Sequence, residues 1–233
     1  MRAVIFDWGG TLTPWHPIDY EKAWRSYADV LHPGDAGQAL RVAAAIHAAE
    51  EAAWRVARDE HRAFTIAQVL ETAKAPAHEA GFAAYRLFWD RATHTDPEVA
   101  PLVTALRGKG LRVGILSSTP WPAAWHEEVL ARDGVLDLFH ARVWSSDLEY
   151  TKPHAAAFRA AMAAVGVDDP AECVYVGDRP YDDISGAKGV GMRAVLVPHS
   201  EIPANQQVPV DVRPDAVIQR LADLEEVVDS WLA

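Results

Sequence analysis

The sequence predicts an α/β fold in which a parallel sheet is accompanied by a separate, all-helical insertion. After residue 96, short apolar runs alternate with helical segments, which is typical of parallel strands joined by right-handed helical crossovers. Between residues 14 and 95 the chain is rich in Ala, Glu and Arg and shows helical periodicity without a convincing strand. We therefore expect residues 1–13 and 96–233 to form a core domain, and residues 14–95 to form a helical cap domain.

The first predicted strand is the apolar run at residues 3–6, and later runs have the same buried character. A parallel sheet with helices on both faces is Rossmann-like. Further strands are predicted at 111–116, 141–144, 171–176, 192–197 and 215–218. Helices are predicted near 18–31, 36–58, 65–75 and 77–91 in the insertion, and near 122–132, 154–165, 182–189 and up to Trp231 in the core.

Composition favours a soluble globular protein, and cysteine usage favours the cytoplasm. The chain has 233 residues, of which 50% are hydrophobic, and its formal net charge is −11. Nucleic acids and membrane surfaces attract basic patches, so we expect neither as a partner. Cys173 is the single cysteine, which suits a reducing compartment. We also expect no signal peptide, since the N-terminal residues lack a basic region followed by a long apolar run.

Polar residues stand where the predicted strands end. Asp7 follows the first strand and precedes two glycines, Ser117 ends the second, and Asp178 follows the strand at 171–176. In open α/β sheets, ligands bind at the carboxyl ends of the strands. Asp7 is therefore a candidate nucleophile.

Four segments, in their order along the chain, resemble the motifs of the haloacid dehalogenase (HAD) superfamily. They are Asp7-Trp8-Gly9-Gly10-Thr11, Ser117 after Gly114-Ile115-Leu116, Lys152 in Thr151-Lys152-Pro153, and Gly177-Asp178 followed by Asp182-Asp183. The helical insertion after the first strand matches the position of that family's C1-type cap. The resemblance implies a hydrolase with an aspartate nucleophile.

The resemblance also implies roles for the other residues of these motifs. Ser117 and Lys152 would hold phosphoryl oxygens, the first as a hydroxyl donor and the second as a point charge. Thr11 would support the loop after the nucleophile. We further predict contacts to a small phosphorylated substrate from Thr11, Ser118, Gly10 and Trp8.

A magnesium site is expected from the same resemblance. Asp7 and Asp178 would be direct Mg²⁺ ligands, the main-chain carbonyl of Gly9 would be a third, and Asp183 or Asp182 would support them. Such an acidic cluster is costly without a cation. Mg²⁺ is commonly held by few carboxylates together with phosphate oxygens.

Gly9 occupies the position where HAD phosphatases carry an aspartate that protonates the leaving group and then activates water. A glycine has no side chain for either step. General acid–base catalysis typically raises the reaction rate by roughly 10²- to 10⁴-fold. One interpretation is a leaving group that needs little protonation, such as an acyl or aryl phosphate. Another is a substitute acid, with His16 and Asp19 nearest along the chain.

Two further interpretations replace the reaction itself. Phosphonoacetaldehyde hydrolases have a similar first motif, but they need a cap lysine, and this insertion offers only Lys22 and Lys74. Haloacid dehalogenases also lack the second aspartate, yet they work without metal, and the pair Asp178 and Asp183 argues against them. The remaining interpretation is a weakly active or non-catalytic binding protein.

Nine tryptophans are many for a chain of this length. Trp8 and Trp121 closely follow motif residues at strand ends. One hypothesis is that they line an aromatic entrance to the site, and the other is that they pack in the core. Together, these observations favour a Mg²⁺-dependent HAD-like phosphatase for a small phosphorylated metabolite.

Overall fold

Parallel strands form the centre of the molecule. The computed structural model describes residues 1–198 and 207–233. The strand bounds are β1 Ala3–Phe6, β2 Arg112–Ser117, β3 Ala141–Trp144, β4 Cys173–Gly177, β5 Arg193–Leu196 and β6 Ala216–Val217. They form one six-stranded sheet in the order β3-β2-β1-β4-β5-β6, and all neighbours are parallel. The predicted fold class is confirmed.

Each central strand is buried on both faces. Successive side chains of a strand point to opposite faces of the sheet. Accordingly, Val4 and Phe6 of β1 belong to one hydrophobic cluster, whereas Ala3 and Ile5 belong to another on the opposite face. Burial on both sides explains why the strand is a continuous apolar run rather than an alternating one.

The segment between β1 and the next core element is helical, as predicted. Its helices are α1 Tyr20–Leu31, α2 Ala36–Glu60, α3 Ile66–Thr72 and α4 Glu79–Trp89. The side chains of Asp19, Asp35 and Thr65 accept backbone N–H groups in the first turns of α1, α2 and α3, which fixes where these helices begin. The insertion has its own hydrophobic cluster, and Trp121 of the core joins it. A functional cap role for this insertion stays a prediction.

Helices of the core lie between successive strands, except that the last one follows β6. They are α5 Val99–Gly108, α6 Ala123–Arg132, α7 Ala155–Val165, α8 Gly186–Val190 and α9 Leu224–Leu232. No helix among the described residues is long and apolar enough to cross a membrane.

The helix predicted at 182–189 differs from the observed structure. A π-helical segment, Pro180–Ser185, precedes α8. Pro180 has no backbone N–H, and the Asp183 carboxylate accepts the backbone N–H of Arg179 at 2.8 Å. This bond keeps Asp183 turned inward with no exposed surface. Such wide turns are frequent at functional sites, and periodicity does not reveal them.

Candidate active site

The carboxyl ends of three adjacent strands bring the predicted polar residues together. β1 lies between β2 and β4, so Asp7, Ser117 and Asp178 emerge at one edge of the sheet. The backbone N–H of Asp7 donates to the carbonyl of Val176 at 2.8 Å, which continues the pairing of the two strands beyond β1. Asp7, Ser117 and Asp178 are all buried.

Lys152 lies at the centre of this group. Its Nζ donates to Oδ1 of Asp7 at 2.6 Å, to Oδ1 of Asp183 at 2.6 Å and to the phenolic oxygen of Tyr175 at 3.0 Å. Lys152 is itself buried. Burial alone would lower the pKa of Lys152, but the charges of Asp183 and Asp7 more than offset this and hold the pKa well above its usual range. The lysine is therefore a fixed cation.

Lys152 is the one buried cation among the described residues, and the carboxylates of the site lie around it. Burial raises the pKa of Asp7, although the charge of Lys152 counteracts the rise. Burial also raises the pKa of Asp178 well above its usual range, and the charges of Asp183 and Asp7 raise it further, although those of Arg179 and Lys152 partly oppose the rise. Negative charge in this pocket is thus incompletely balanced by the protein's own groups.

Asp178 shows the imbalance most directly. Both of its carboxylate oxygens are buried, and neither has a hydrogen-bond partner among the described residues. Buried polar groups are normally paired, and an unpaired carboxylate is especially costly. Oxygen atoms of Asp7, Asp178 and Asp183 lie within 4.8 Å of one another. This donor set fits a hard divalent cation, which prefers oxygen ligands.

Asp183, rather than Asp182, lies in this cluster of carboxylates. Asp182 is less enclosed, yet burial and the adjacent charge of Asp183 raise the pKa of Asp182 to about 6. The two alternatives that the sequence left open therefore occupy different positions. The structure brings Asp183 to the site and binds its second oxygen to the backbone of Arg179.

Glycines allow the close approach of these carboxylates. Gly10 has a φ of +90°, and a Cβ built there would lie 2.6 Å from Oδ2 of Asp178. A Cβ at Gly177 would lie 2.3 Å from the carboxyl group of Asp183. Gly9 is different, since a Cβ built there meets no described atom within 4 Å. Packing therefore requires Gly10 and Gly177 but leaves room for a Cβ at position 9.

The remaining predicted contacts have mixed surroundings. The hydroxyl of Thr11 is buried and has no partner in the described part of the chain. The Ser118 hydroxyl accepts from Thr151 Oγ1 at 2.6 Å, which joins the loop after β2 to the loop of Lys152. Trp8 is 8% exposed and packs edge-on against His126 and Trp144. That placement favours the packing interpretation for Trp8, and its contact to substrate stays a prediction.

The proposed substitute acids lie on the surface. Asp19 is exposed and serves as the N-cap of α1, and its bonds to Lys22 hold its pKa below the usual range. His16 is also exposed. Asp19 is thus already engaged at the start of a helix, and its lowered pKa makes it a poor proton donor.

The lysines of the insertion offer no support for Schiff-base chemistry. Lys22 is exposed and pairs with Asp19, whose bonds raise the pKa of Lys22. Lys74 is exposed in the turn after α3. A Schiff-base lysine needs a neutral amine, which is favoured by burial rather than by an ion pair.

Two features of the site escaped the sequence predictions. Tyr175 lies within the run predicted as a buried strand at 171–176, yet its phenol contacts Lys152. The connection after α2 also docks beside the Lys152 loop, where the carbonyl of His61 accepts from the backbone of Thr151 at 2.9 Å. A hydroxyl within an apolar strand was a signal for Tyr175, whereas no local signal marked His61.

The chain matches the family model of haloacid dehalogenase-like hydrolases over residues 1–191. This match covers most of the chain, which belongs to this family of hydrolases. The predicted family is confirmed.

Known relatives include both phosphatases and dehalogenases. A glyceraldehyde 3-phosphate phosphatase of Methanopyrus kandleri is 35% identical over 57% of this chain, which spans about half of that relative (55%). A HAD phosphatase of Thermococcus onnurineus superposes with a TM-score of 0.66 at 23% identity, covering 98% of each chain. An L-2-haloacid dehalogenase of Xanthobacter autotrophicus has a TM-score of 0.65 at 20% identity, again over 98% of each chain. These structures establish the shared fold.

Proposed function

We propose that the chain is a Mg²⁺-dependent phosphatase that acts on a small phosphorylated metabolite through an aspartyl-phosphate on Asp7. The observation that carries this proposal is the buried carboxylate of Asp178, which has no hydrogen-bond partner in the described part of the chain and lies near Asp7 and Asp183. Family membership and the similarity to a curated phosphatase support the same reaction class. A metal-free dehalogenase has no need for the orphaned carboxylate.

In the proposed reaction, Asp7 attacks the phosphorus atom and the bond from phosphorus to the leaving oxygen breaks. Water then cleaves the acyl phosphate and regenerates the carboxylate, so one difficult step becomes two easier ones. Lys152 and Ser117 would orient the phosphoryl oxygens and stabilise their charge. Thr11 and Ser118 would complete the loops around that group.

The donor set for Mg²⁺ would consist of Asp7, Asp178 and the carbonyl of Gly9, with Asp183 in support. When bound, the ion would neutralise phosphoryl charge and allow an anionic nucleophile to approach. Lys152 pairs with Asp7 and Asp183, and the charges of Arg179 and Lys152 only partly offset the raised pKa of Asp178. A divalent ion would suit the negative charge that is left.

The substrate is expected to have a leaving group that needs little protonation. Position 9 carries no acid, Asp19 is engaged as a helix cap and His16 lies on the surface. Acyl and aryl phosphates meet this requirement because their leaving oxygens are weak bases. The helical insertion would act as a cap that excludes water, and the buried thiol of Cys173 suits a cytoplasmic location.

A substrate panel tests this function. Purified protein with Mg²⁺ is assayed on acyl, aryl and alkyl phosphates, phosphonoacetaldehyde and 2-haloacids. We expect phosphate release from acyl and aryl phosphates that stops when EDTA is added. Halide release without metal would support the dehalogenase alternative, and no turnover across the panel would support a binding protein.

A further inference from the structure

Lys152 uses all of its hydrogen-bonding capacity in this structure. An ammonium group has three N–H donors. Those of Lys152 point to Asp7, Asp183 and Tyr175, with distances of 2.6, 2.6 and 3.0 Å. A phosphoryl oxygen can therefore bind Lys152 only if one of these partners is released.

The orientation of the Tyr175 phenol is fixed by its other bond. Its hydroxyl donates to the carbonyl of Leu116 at 2.8 Å, so its single proton is committed to that oxygen. A lone pair of the same oxygen is then left for Lys152. Phe158 packs edge-on against the ring with a centroid distance of 5.0 Å, which holds the side chain in place.

The three partners of Lys152 differ in what the proposed reaction asks of them. Asp7 must turn its oxygen toward phosphorus, so its bond to Lys152 competes with attack. Asp183 is held by the backbone of Arg179, and Tyr175 is held by Leu116 and Phe158. The bond to Asp7 is thus the one that exchanges.

We infer that Tyr175 is a positioning residue for Lys152. Together with Asp183, it keeps the ammonium in place while Lys152 exchanges its bond to Asp7 for one to a phosphoryl oxygen. Since Leu116 directly precedes Ser117, the same phenol also links the lysine to the strand end that carries the second phosphoryl donor. This inference rests on the proposed phosphatase function.

The test compares Tyr175→Phe with Tyr27→Phe. Tyr27 is a fully buried tyrosine of the insertion whose hydroxyl donates to the carbonyl of Pro76 at 2.6 Å. Both variants lose one phenol–carbonyl bond, but only Tyr175→Phe removes a partner of Lys152. We expect both to lower Tm by a similar few degrees.

The activities are expected to diverge. Hydrogen bonds to charged groups are strong enough that Tyr175→Phe should lower kcat by roughly 10- to 100-fold, with little change in KM. Tyr27→Phe should retain the wild-type kcat. An unchanged kcat in folded Tyr175→Phe, or an equal loss in Tyr27→Phe, would overturn the inference.

A spectroscopic measurement separates this inference from the proposed function. The ¹⁵N-labelled ammonium of Lys152, identified by its loss in Lys152→Arg, should give a slowly exchanging NMR signal in the wild type. This signal should broaden or vanish in Tyr175→Phe and persist in Tyr27→Phe. If the wild type turns over no panel substrate, the proposed function fails, and this signal alone decides the role of Tyr175.

Titration with Mg²⁺ and inorganic phosphate provides a measurement that needs no variant to fold. The nuclear Overhauser effect between the Lys152 ammonium and the Tyr175 ring should survive phosphate binding, because Asp7 is the partner that exchanges. Its disappearance on saturation with phosphate would overturn the inference.

Discussion

Two regions of the molecule bury a carboxylate, and they treat it differently. In the helical insertion, Glu50 is 4% exposed and accepts a hydrogen bond from the Trp24 indole at 2.7 Å. At the edge of the sheet, Asp178 is 1% exposed, and its oxygens have no partner among the described residues. Burial raises the pKa of both groups.

The difference supports the proposal that Asp178 binds a ligand, whereas the partner of Glu50 indicates a structural role. Indole donors stabilise Glu50 inside a packed aromatic cluster, and nothing further is needed there. Asp178 faces two other carboxylates, and Lys152 is already committed to Asp7 and Asp183. A buried acid without a partner beside a reactive loop is a stronger indication of function than burial or a shifted pKa alone.

The largest expected effect concerns the nucleophile. Asp7→Asn should lower kcat by at least roughly 10⁴-fold, as expected when a nucleophile is removed. Asp19→Asn is the matched control, because asparagine caps a helix as well as aspartate does. It should keep the wild-type rate. Steady-state assays with the active phosphate test both variants, and substantial turnover by folded Asp7→Asn would exclude Asp7 as the nucleophile.

The second prediction is a gain of activity. Gly9→Asp should raise turnover of alkyl phosphates by roughly 10²-fold or more, because it supplies a proton donor where the structure has room. Gly9→Asn has nearly the same size but cannot donate a proton as an acid. Equal rates for the two variants would show that the deficit lies elsewhere, such as in the insertion.

A third prediction contrasts the two buried carboxylates directly. Asp178→Asn should weaken Mg²⁺ binding by roughly 100-fold or more. Even mutation of residues that only hydrogen-bond a metal ligand typically lowers metal affinity by about 10- to 100-fold. Glu50→Gln should leave the affinity unchanged. Isothermal calorimetry measures both, and wild-type affinity in Asp178→Asn would refute the proposed ligand role.

The smallest effect is a pH dependence of stability. The folded-state pKa of Glu50 is raised by burial above its ordinary value of 4.5. Its contribution to stability is therefore fully present below pH 4.5 and is lost as pH rises through the folded pKa. Each pKa unit between the folded and the unfolded state corresponds to about 1.4 kcal/mol of unfolding free energy.

Glu50→Gln should remove the contribution of Glu50 to the pH dependence of the unfolding free energy. The Tm of the wild type and of Glu50→Gln is measured from pH 4 upward. Subtracting one curve from the other removes the contributions of the other titrating groups. Parallel Tm curves for wild type and Glu50→Gln would show that Glu50 does not titrate differently in the folded state.

Local patterns in the sequence predicted most of the helices and strands. The apolar run at β1 and the helical periodicity after residue 14 predicted their elements because burial on one or both faces leaves a direct trace in residue order. The order of the motifs also predicted the family, which the match over residues 1–191 confirms. The roles of Asp7, Lys152 and Asp178 stay predictions, although the structure places these residues together.

Long-range contacts were beyond reach. Tyr175 and Lys152 are separated by 23 positions, and their contact depends on the loop between β3 and α7 folding back over β4. The π-helical turn at Pro180–Ser185 likewise depends on a side chain bonding to backbone. Periodicity reports which face of an element is buried, but it contains no information about such bonds.

The open space beside Gly9 has a genetic consequence. Because the backbone there accepts a Cβ without a clash, no packing constraint holds a glycine at this position. Codons for glycine and aspartate can differ by a single base. Where the codon is GGT or GGC, one point mutation would therefore place a carboxylate two residues after Asp7, so an acid at this position can be gained or lost by a single base change.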